Sequence, residues 1–193
     1  FINRSGQLIV FDEATHRITE SLKTLRARYS GKGHLELHQL TAYQLMDALS
    51  ESDSVRFSKD FQLLTQHLSK PETFDLPTYK VEAGLRPYQE KGVQWLSMLH
   101  HYGFGGILAD DMGLGKTLQT IAYLSAHLEE GQRVLVLSPS SLIYNWQDEF
   151  KKFAPRLDVA VSYGLKPKRD DIIAEAHQII ITSYASFRQD FDA

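Results

Sequence analysis

Four short apolar runs in the second half of the chain alternate with stretches of helical periodicity. They predict strands at residues 106–110, 134–137, 159–161 and 179–181, and the runs at 134–137 and 179–181 have the continuous apolar character of buried strands in parallel sheets. Apolar positions at helical spacing predict helices at residues 85–102, 116–130, 142–153 and 170–176. Strands that alternate with helices predict an α/β domain with an open, mostly parallel sheet flanked by helices.

The first 80 residues have a different and mostly helical pattern. One strand is predicted at residues 7–11, and apolar positions at helical spacing predict helices within residues 18–29, 40–49 and 55–68. Prolines and a glycine interrupt any regular element between residues 70 and 84. We therefore predict a small accessory module at residues 1–80 and the α/β domain at residues 81–193.

A glycine-rich loop joins the first predicted strand of the α/β domain to the helix that follows it. Its sequence is Asp110-Asp111-Met112-Gly113-Leu114-Gly115-Lys116-Thr117. Glycines allow backbone N–H groups to turn towards phosphate oxygens, and the helix N-terminus adds a favourable dipole. Lys116 can then reach the β- and γ-phosphates, and the Thr117 hydroxyl can ligate Mg²⁺. The loop predicts a site for a nucleoside triphosphate, although Asp110 stands where the strict pattern has Gly or Ala.

A second polar segment, Leu85-Arg86-Pro87-Tyr88-Gln89, precedes the loop. Pro87 suits the first turn of a helix. The amide of Gln89 donates and accepts together, which matches the donor amine and the acceptor nitrogen on the edge of adenine. Taken alone, the residue is better explained as an ordinary solvated glutamine.

Polar side chains also follow the second and fourth apolar runs. They are Ser138, Ser140, Ser141 and Asn145 after the second run, and Thr182, Ser183 and Tyr184 after the fourth. Ligands of open parallel sheets bind at the carboxyl ends of the strands, so these residues and Asp110 are predicted to share one rim. Hydroxyl and backbone N–H groups at a helix start can bind phosphate, but the same serines can simply cap their helices. Both interpretations stay open on the residues alone.

Composition limits the classes of function. The 193 residues carry a net charge of −3, so no global basic field indicates nucleic acid, and any polyanion site must be a local patch. The chain has no cysteine, which excludes disulfides and thiolate metal sites. No apolar run approaches the length of a membrane span and no signal peptide opens the chain, so we expect a cytoplasmic protein without a membrane partner. Its abrupt ends lead us to expect a piece of a longer protein.

In their order and spacing these motifs resemble the first motor lobe of Swi/Snf-type ATPases, which belong to helicase superfamily two. The shared segments are Leu-Arg-Pro-Tyr-Gln, Ala-Asp-Asp-Met-Gly-Leu-Gly-Lys-Thr, Ser-Pro-Ser-Ser-Leu-Ile-Tyr-Asn-Trp and Thr-Ser-Tyr, within residues 84–187. Asp111 replaces the family's usual Glu, whereas the family itself has Asp at the position of Asp110. The resemblance implies part of a RecA-like lobe, and residues 1–80 resemble the accessory segment of bacterial relatives.

The resemblance implies a role for each group of residues. Gly113, Gly115, Lys116 and Thr117 would hold ATP and Mg²⁺, with Thr117 as the metal ligand. Lys116 and Thr117 would also serve hydrolysis, and Gln89 would read adenine. The remaining cofactor-binding residues would be Arg86, Asp110, Asp111, Met112 and Leu114. The seven polar residues after the strands would contact the backbone of double-stranded DNA, along which family members translocate, usually without separating the strands.

The resemblance also implies that part of the machinery lies outside these residues. The family's acidic motif, which would hold Mg²⁺ and polarise water, and a second motor lobe with arginine fingers would follow. We therefore expect residues 1–193 to bind nucleotide weakly and not to hydrolyse it usefully. Three alternatives stay open: a strand-separating or RNA-directed motor, a module at residues 1–80 that docks a partner such as RNA polymerase, and a nucleotide-gated binding protein without motor action.

Overall fold

The chain forms two compact units, residues 1–73 and residues 74–193. The computed structural model describes residues 13–24, 28–31, 34–36, 41, 44–46 and 56–191. Within these ranges, no helix has both the length and the apolar character needed to cross a membrane.

The described part of the first unit combines helices with a β-hairpin. Helix α1 spans Glu13–Thr24, and strands β1 (Arg28–Gly31) and β2 (His34–Glu36) pair antiparallel. Helix α2 (Lys59–Ser69) begins after Ser58, whose Oγ accepts the backbone N–H of Phe61 at 3.2 Å. A serine here satisfies one of the N–H groups that every helix start leaves without a partner.

The predictions for this unit are confirmed in part. Helix α2 confirms the helix predicted within residues 55–68. The helix predicted within residues 18–29 ends at Thr24 instead, because Tyr29 lies in β1 and pairs with Leu35 across the hairpin. The strand predicted at residues 7–11 lies outside the described residues, as does most of the helix predicted at residues 40–49.

The second unit is built on a parallel sheet, as the α/β prediction requires. Its described strands are β3 (Val134–Ser138), β4 (Val159–Ser162) and β5 (Ile179–Ser183), in the spatial order β3–β5–β4. The flanking helices are α3 (Pro87–His101), α4 (Lys116–His127), α5 (Ile143–Phe153), α6 (Lys166–Ala174) and α7 (Tyr184–Asp190). All five residues of the central strand β5 are buried, which explains its continuous apolar sequence.

The hydrophobic core lies between one face of the sheet and helices α4 and α5. Side chains alternate along a strand, so the register places on this face Val134, Val136, Val159, Val161, Ile179 and Ile181. These side chains pack with buried residues of the two helices, which are Ile121, Leu124, Ile143 and Phe150. The core thereby fixes α4, the helix that begins with Lys116, against the sheet.

A buried ion pair joins helices α6 and α7 near the opposite face of the sheet. The guanidinium of Arg169 on α6 donates to both carboxylate oxygens of Asp190 on α7, at 2.6 and 2.7 Å, and also to the carbonyl of Gly164. The two side chains are only 5% and 6% exposed. The hydrogen bonds from Arg169 lower the pKa of Asp190, which keeps the carboxylate charged. A paired geometry of this kind is directional, so it holds α7 in place.

The prediction of a first strand of the α/β domain at residues 106–110 is wrong. The segment pairs with no described strand, and Ile107 is 85% exposed. A strand needs a partner for its backbone N–H and C=O groups, and an apolar sequence does not supply one. Asp110 therefore does not end a strand of this sheet, and the predicted rim shared with Ser138 and Thr182 is not formed through it.

Two helix boundaries of this unit differ from the predictions by more than two residues. Helix α4 ends at His127 rather than at residue 130, because Leu128 is already extended. Helix α6 begins at Lys166, four residues before the predicted start at residue 170, with Pro167 in its first turn. Helix α7 is an addition to the predicted elements, and it is too short to show a clear apolar period.

Candidate nucleotide-binding site

The glycine-rich loop turns sharply between helix α4 and the preceding segment, which forms no regular element. Gly113 has φ 89° and Gly115 has φ 75°, both in the left-handed region that glycine adopts without strain. Gly115 directly precedes the first residue of α4, and its carbonyl accepts the Gln119 N–H at 3.0 Å. The first turn of α4 therefore presents its N–H groups at the end of the loop, as a phosphate site requires.

Lys116, the first residue of α4, folds back over the loop. Its Nζ donates to the carbonyl oxygens of Asp110 at 2.7 Å and of Asp111 at 2.9 Å. Thr117 follows in the same turn and is half-buried. An ammonium group has three donors, and two neutral carbonyls leave its charge uncompensated. Lys116 thus lies against the loop, and its positive charge is available to a phosphate that binds there.

Helix α3 supports the loop through Gln89. The amide is buried, at 6% exposure for the residue; its Nε2 donates to the carbonyl of Leu114 at 3.2 Å, and its Oε1 accepts the Arg86 N–H at 2.9 Å. The Tyr88 hydroxyl donates to the same Leu114 carbonyl at 3.2 Å. A Cβ at Gly115 would stand 2.5 Å from Nε2, so the glycine permits this approach. The interpretation of Gln89 as a solvated glutamine is therefore wrong.

A second glutamine, absent from the candidates above, reaches the loop from α4. Gln119 is fully buried, and its Nε2 donates to the Asp110 carboxylate at 2.9 Å. Its Oε1 has no hydrogen-bond partner among the described residues and faces Gly92 of α3. The signal in the sequence is a polar residue three positions before Ala122, on the buried side of an amphipathic helix. Such a residue usually has one specific partner.

A polar cluster joins α3 and α4 away from the loop. The Ser97 hydroxyl donates to the Val93 carbonyl at 2.8 Å, so the hydrogen bond of 2.8 Å between Ser97 and His127 is donated by His127 Nε2. The His127 ring stacks on His100 with 4.9 Å between centroids, and His100 Nδ1 hydrogen bonds with the Tyr123 hydroxyl at 2.7 Å. Burial, and secondarily the nearby His100, lowers the pKa of His127. The two helices that frame the loop are thus joined by a hydrogen-bonded contact.

Three of the seven predicted DNA-contacting residues are buried. Thr182 Oγ1 donates to the Ser162 carbonyl at 2.7 Å. Ser183 Oγ accepts the Ser186 N–H at 3.1 Å and so caps α7. Ser138, at the end of β3, is 2% exposed. The capping interpretation is confirmed for Ser183, and the hydroxyls of Thr182 and Ser183 are engaged inside the protein.

The other four predicted residues are exposed at the carboxyl edge of the sheet. Ser140 and Ser141 lie in the 3₁₀ turn after β3, Asn145 lies at the start of α5, and Tyr184 begins α7 with 56% of its surface exposed. Because β3 and β5 are neighbours in the sheet, the segments that follow them emerge side by side. The structure therefore brings these four side chains to one edge, and joins the glycine-rich loop to the sheet through α4.

Two family models together match most of the chain. The model described as SNF2-related domain matches residues 88–193, and the model described as bacterial SNF2 helicase associated matches residues 1–78. YwqA of Bacillus subtilis (strain 168), which carries the provisional name of an ATP-dependent helicase/translocase, is 37% identical over 207 aligned positions. That alignment covers 95% of this chain and 22% of YwqA, so the chain spans about a fifth of this relative.

A solved structure and a second relative extend the comparison. The Sulfolobus solfataricus SWI2/SNF2 ATPase core in complex with dsDNA is 43% identical and has a TM-score of 0.56, covering 62% of this chain and 25% of that one. An uncharacterized ATP-dependent helicase of Mycoplasma pneumoniae is 33% identical and covers 77% of this chain and 17% of its own length. The second unit thus has the fold of part of the SNF2 ATPase core, and the chain belongs to the SNF2-related family.

Proposed function

We propose that this chain is the nucleotide-binding part of a longer ATP-dependent motor that moves along double-stranded DNA. The observation that carries the proposal is the position of Lys116, whose Nζ lies within 2.9 Å of two loop carbonyls at the N-terminus of α4. The similar proteins described above, a helicase/translocase and an ATPase core in complex with dsDNA, support the same class. Residues 1–80 would be the accessory module and residues 81–193 the first part of the motor lobe.

The loop has the features that a triphosphate needs. The phosphates would accept the N–H groups at the start of α4, and Lys116 would exchange its loop carbonyls for phosphate oxygens, a stronger charge-assisted contact. Thr117, in the first turn of α4, has the hydroxyl that can ligate Mg²⁺ beside those phosphates. Both ends of the Gln89 amide have backbone partners, so adenine recognition would require the side chain to exchange one of them.

DNA contact is proposed at the carboxyl edge of the sheet. Ser140, Ser141, Asn145 and Tyr184 offer exposed hydroxyl and amide groups there, and backbone N–H groups at the helix starts would add to them. These groups are neutral, so they release no counterions when they bind phosphate. We therefore expect this edge to contribute little to the salt dependence of DNA binding.

The test is ATP hydrolysis by the whole protein that contains these residues, measured with and without duplex DNA. Duplex should stimulate turnover strongly, and Lys116→Ala should abolish it because the phosphate contact is lost. Lys151→Ala is the matched control, since it removes an exposed lysine of α5 and should leave turnover unchanged. Residues 1–193 alone should bind ATP weakly and show no DNA-stimulated turnover.

Other outcomes support the alternatives. Turnover that responds to RNA or to single strands rather than to duplex would indicate an RNA-directed or strand-separating motor. Absence of turnover in every condition would refute the motor and favour a binding protein. In that case a protein partner, such as RNA polymerase, would be sought with and without residues 1–80.

A further inference from the structure

We infer that Gln119 is a positioning residue of the glycine-rich loop, and that it acts through the carboxylate of Asp110. The inference rests on the proposed function, since it concerns ATP binding at the same loop. Gln119 is not itself among the residues predicted to contact the nucleotide. Its contacts are with the residues at which the loop begins and ends.

Gln119 closes the loop at both ends. Its side chain donates from Nε2 to Asp110 Oδ2 at 2.9 Å, at the first residue of the loop. Its backbone N–H donates to the carbonyl of Gly115 at 3.0 Å, at the last residue before α4. Asp110 also offers its own carbonyl to Lys116 Nζ at 2.7 Å, so the residue that Gln119 holds in turn holds the lysine.

The burial of Gln119 shows that packing alone does not explain an amide at this position. The residue is fully buried, and its Oε1 has no hydrogen-bond partner among the described residues. A buried amide oxygen without a partner is unfavourable, and an apolar side chain of similar size would avoid that cost. The amide is explained by the one bond that an apolar side chain cannot make, which is the bond to Asp110.

Gly92 of α3 provides the space for this arrangement. A Cβ at Gly92 would collide with Gln119 Oε1, so α3 can approach α4 here only because the position has no side chain. Three residues earlier on the same helix, Gln89 donates to Leu114 near the other end of the loop. The loop is therefore held by two buried glutamines, Gln119 at its start and Gln89 near its end.

This arrangement orders the loop before a nucleotide arrives. A loop that is already in its bound conformation loses less conformational entropy on binding, which raises affinity without any new contact to the ligand. The bond to Gln119 also holds the Asp110 carboxylate against α4. Its negative charge is thereby kept from turning towards the phosphates. Loss of the bond should therefore weaken ATP binding and leave the chemical step intact.

The test uses Gln119→Met in the whole protein. Methionine has a similar volume and removes both the bond to Asp110 and the unpaired oxygen, so the unfolding temperature should change little. The KM for ATP and the dissociation constant of ATP measured by calorimetric titration should rise about tenfold, the effect of one hydrogen bond to a charged group. The kcat should stay within about twofold of the wild type.

Two further variants separate positioning from a structural role. Ser97→Ala removes a fully buried hydrogen-bonding group from the same contact between α3 and α4 and should lower the unfolding temperature without raising the KM. Asp110→Ala should raise the KM as Gln119→Met does. The double variant should be no worse than either single variant, because both remove the same bond.

Three results would overturn the inference. The first is a wild-type KM in Gln119→Met, and the second is a double variant whose effects multiply. The third is a KM that rises only together with a fall in unfolding temperature, as for any destabilised protein. If the wild type neither binds nor hydrolyses ATP, the proposed function fails first, and the inference fails with it. Wild-type turnover that Lys116→Ala abolishes distinguishes the two failures.

Discussion

Replacement of Gly115 by alanine is expected to lower the free energy of unfolding of the second unit by about 2–3 kcal/mol. A φ of 75° costs a residue with a Cβ about 1–2 kcal/mol. The added Cβ would also stand 2.5 Å from Gln89 Nε2, closer than real Cβ contacts, so the amide must move. Its bonds to Leu114 and Arg86 would then weaken, at a net cost of about 1 kcal/mol or more.

Two other glycines of the same unit are matched controls. Gly113 has φ 89° and Gly131 has φ 82°, and a Cβ on either would meet nothing within 4 Å. Gly113→Ala and Gly131→Ala should therefore show the backbone strain alone, about 1–2 kcal/mol. The difference between these variants and Gly115→Ala measures the contact with Gln89.

Urea unfolding followed by tryptophan fluorescence is the assay. The only two tryptophans of the chain, Trp95 and Trp146, lie in residues 74–193, so the signal reports the second unit. Equal destabilisation in Gly115→Ala and Gly113→Ala would refute the steric argument. So would an additional penalty that persists in a Gln89→Ala background, where the amide is absent.

Three other predictions concern groups away from the loop. A hydrogen bond with Asp158 is the main cause that raises the pKa of His177. The stability that this bond contributes is therefore complete below the unfolded pKa of 6.5 and is lost as the pH rises through the raised folded pKa. The unfolding midpoint should fall over that pH interval, and His177→Gln should flatten this pH dependence. Arg133 donates to three carbonyl oxygens at the end of α6 and just beyond it, at 2.9–3.3 Å. Arg133→Met should therefore lower the free energy of unfolding, measured in urea, by about 1–2 kcal/mol. Arg133→Lys should restore only part of this stability, because an ammonium group lacks the planar fork of a guanidinium. Arg169→Met should lower the thermal midpoint more than the double variant Arg169→Met/Asp190→Leu, which leaves no buried carboxylate unpaired; a double variant that is worse than the single one would contradict this account.

Three of the four predicted strands of the α/β domain could be located from their apolar runs alone. Strands β3, β4 and β5 lie where the runs at residues 134–137, 159–161 and 179–181 place them. Their continuous apolar sequences located all three strands, although only the central strand β5 is buried along its whole length and Leu135 of β3 is 47% exposed. The run at residues 106–110 has the same local pattern and no ladder, because pairing depends on a partner distant in sequence.

The site shows the same division between local and distant information. The glycines, Lys116 and Thr117 are close together in the sequence, so the turn of the glycine-rich loop could be predicted from its own residues. The contact of Gln119 with Asp110 requires knowledge of which side of α4 is buried and what lies opposite it. The burial of Gln89 likewise depends on how closely α3 approaches the loop, and that approach depends on Gly115.

Among the polar residues after the strands, capping is confirmed for Ser183 and not for Ser140 or Ser141, and phosphate binding by the exposed residues stays a prediction. Ser183 caps α7 and Thr182 holds the Ser162 carbonyl, so these buried groups set the direction in which the chain leaves β5. Tyr184 follows them, on a helix whose other end is held by the pair of Arg169 and Asp190. Because both ends of this short helix are held, its backbone loses little freedom when an exposed side chain such as Tyr184 contacts a ligand. The buried residues therefore support the proposed DNA edge indirectly, by positioning the exposed ones.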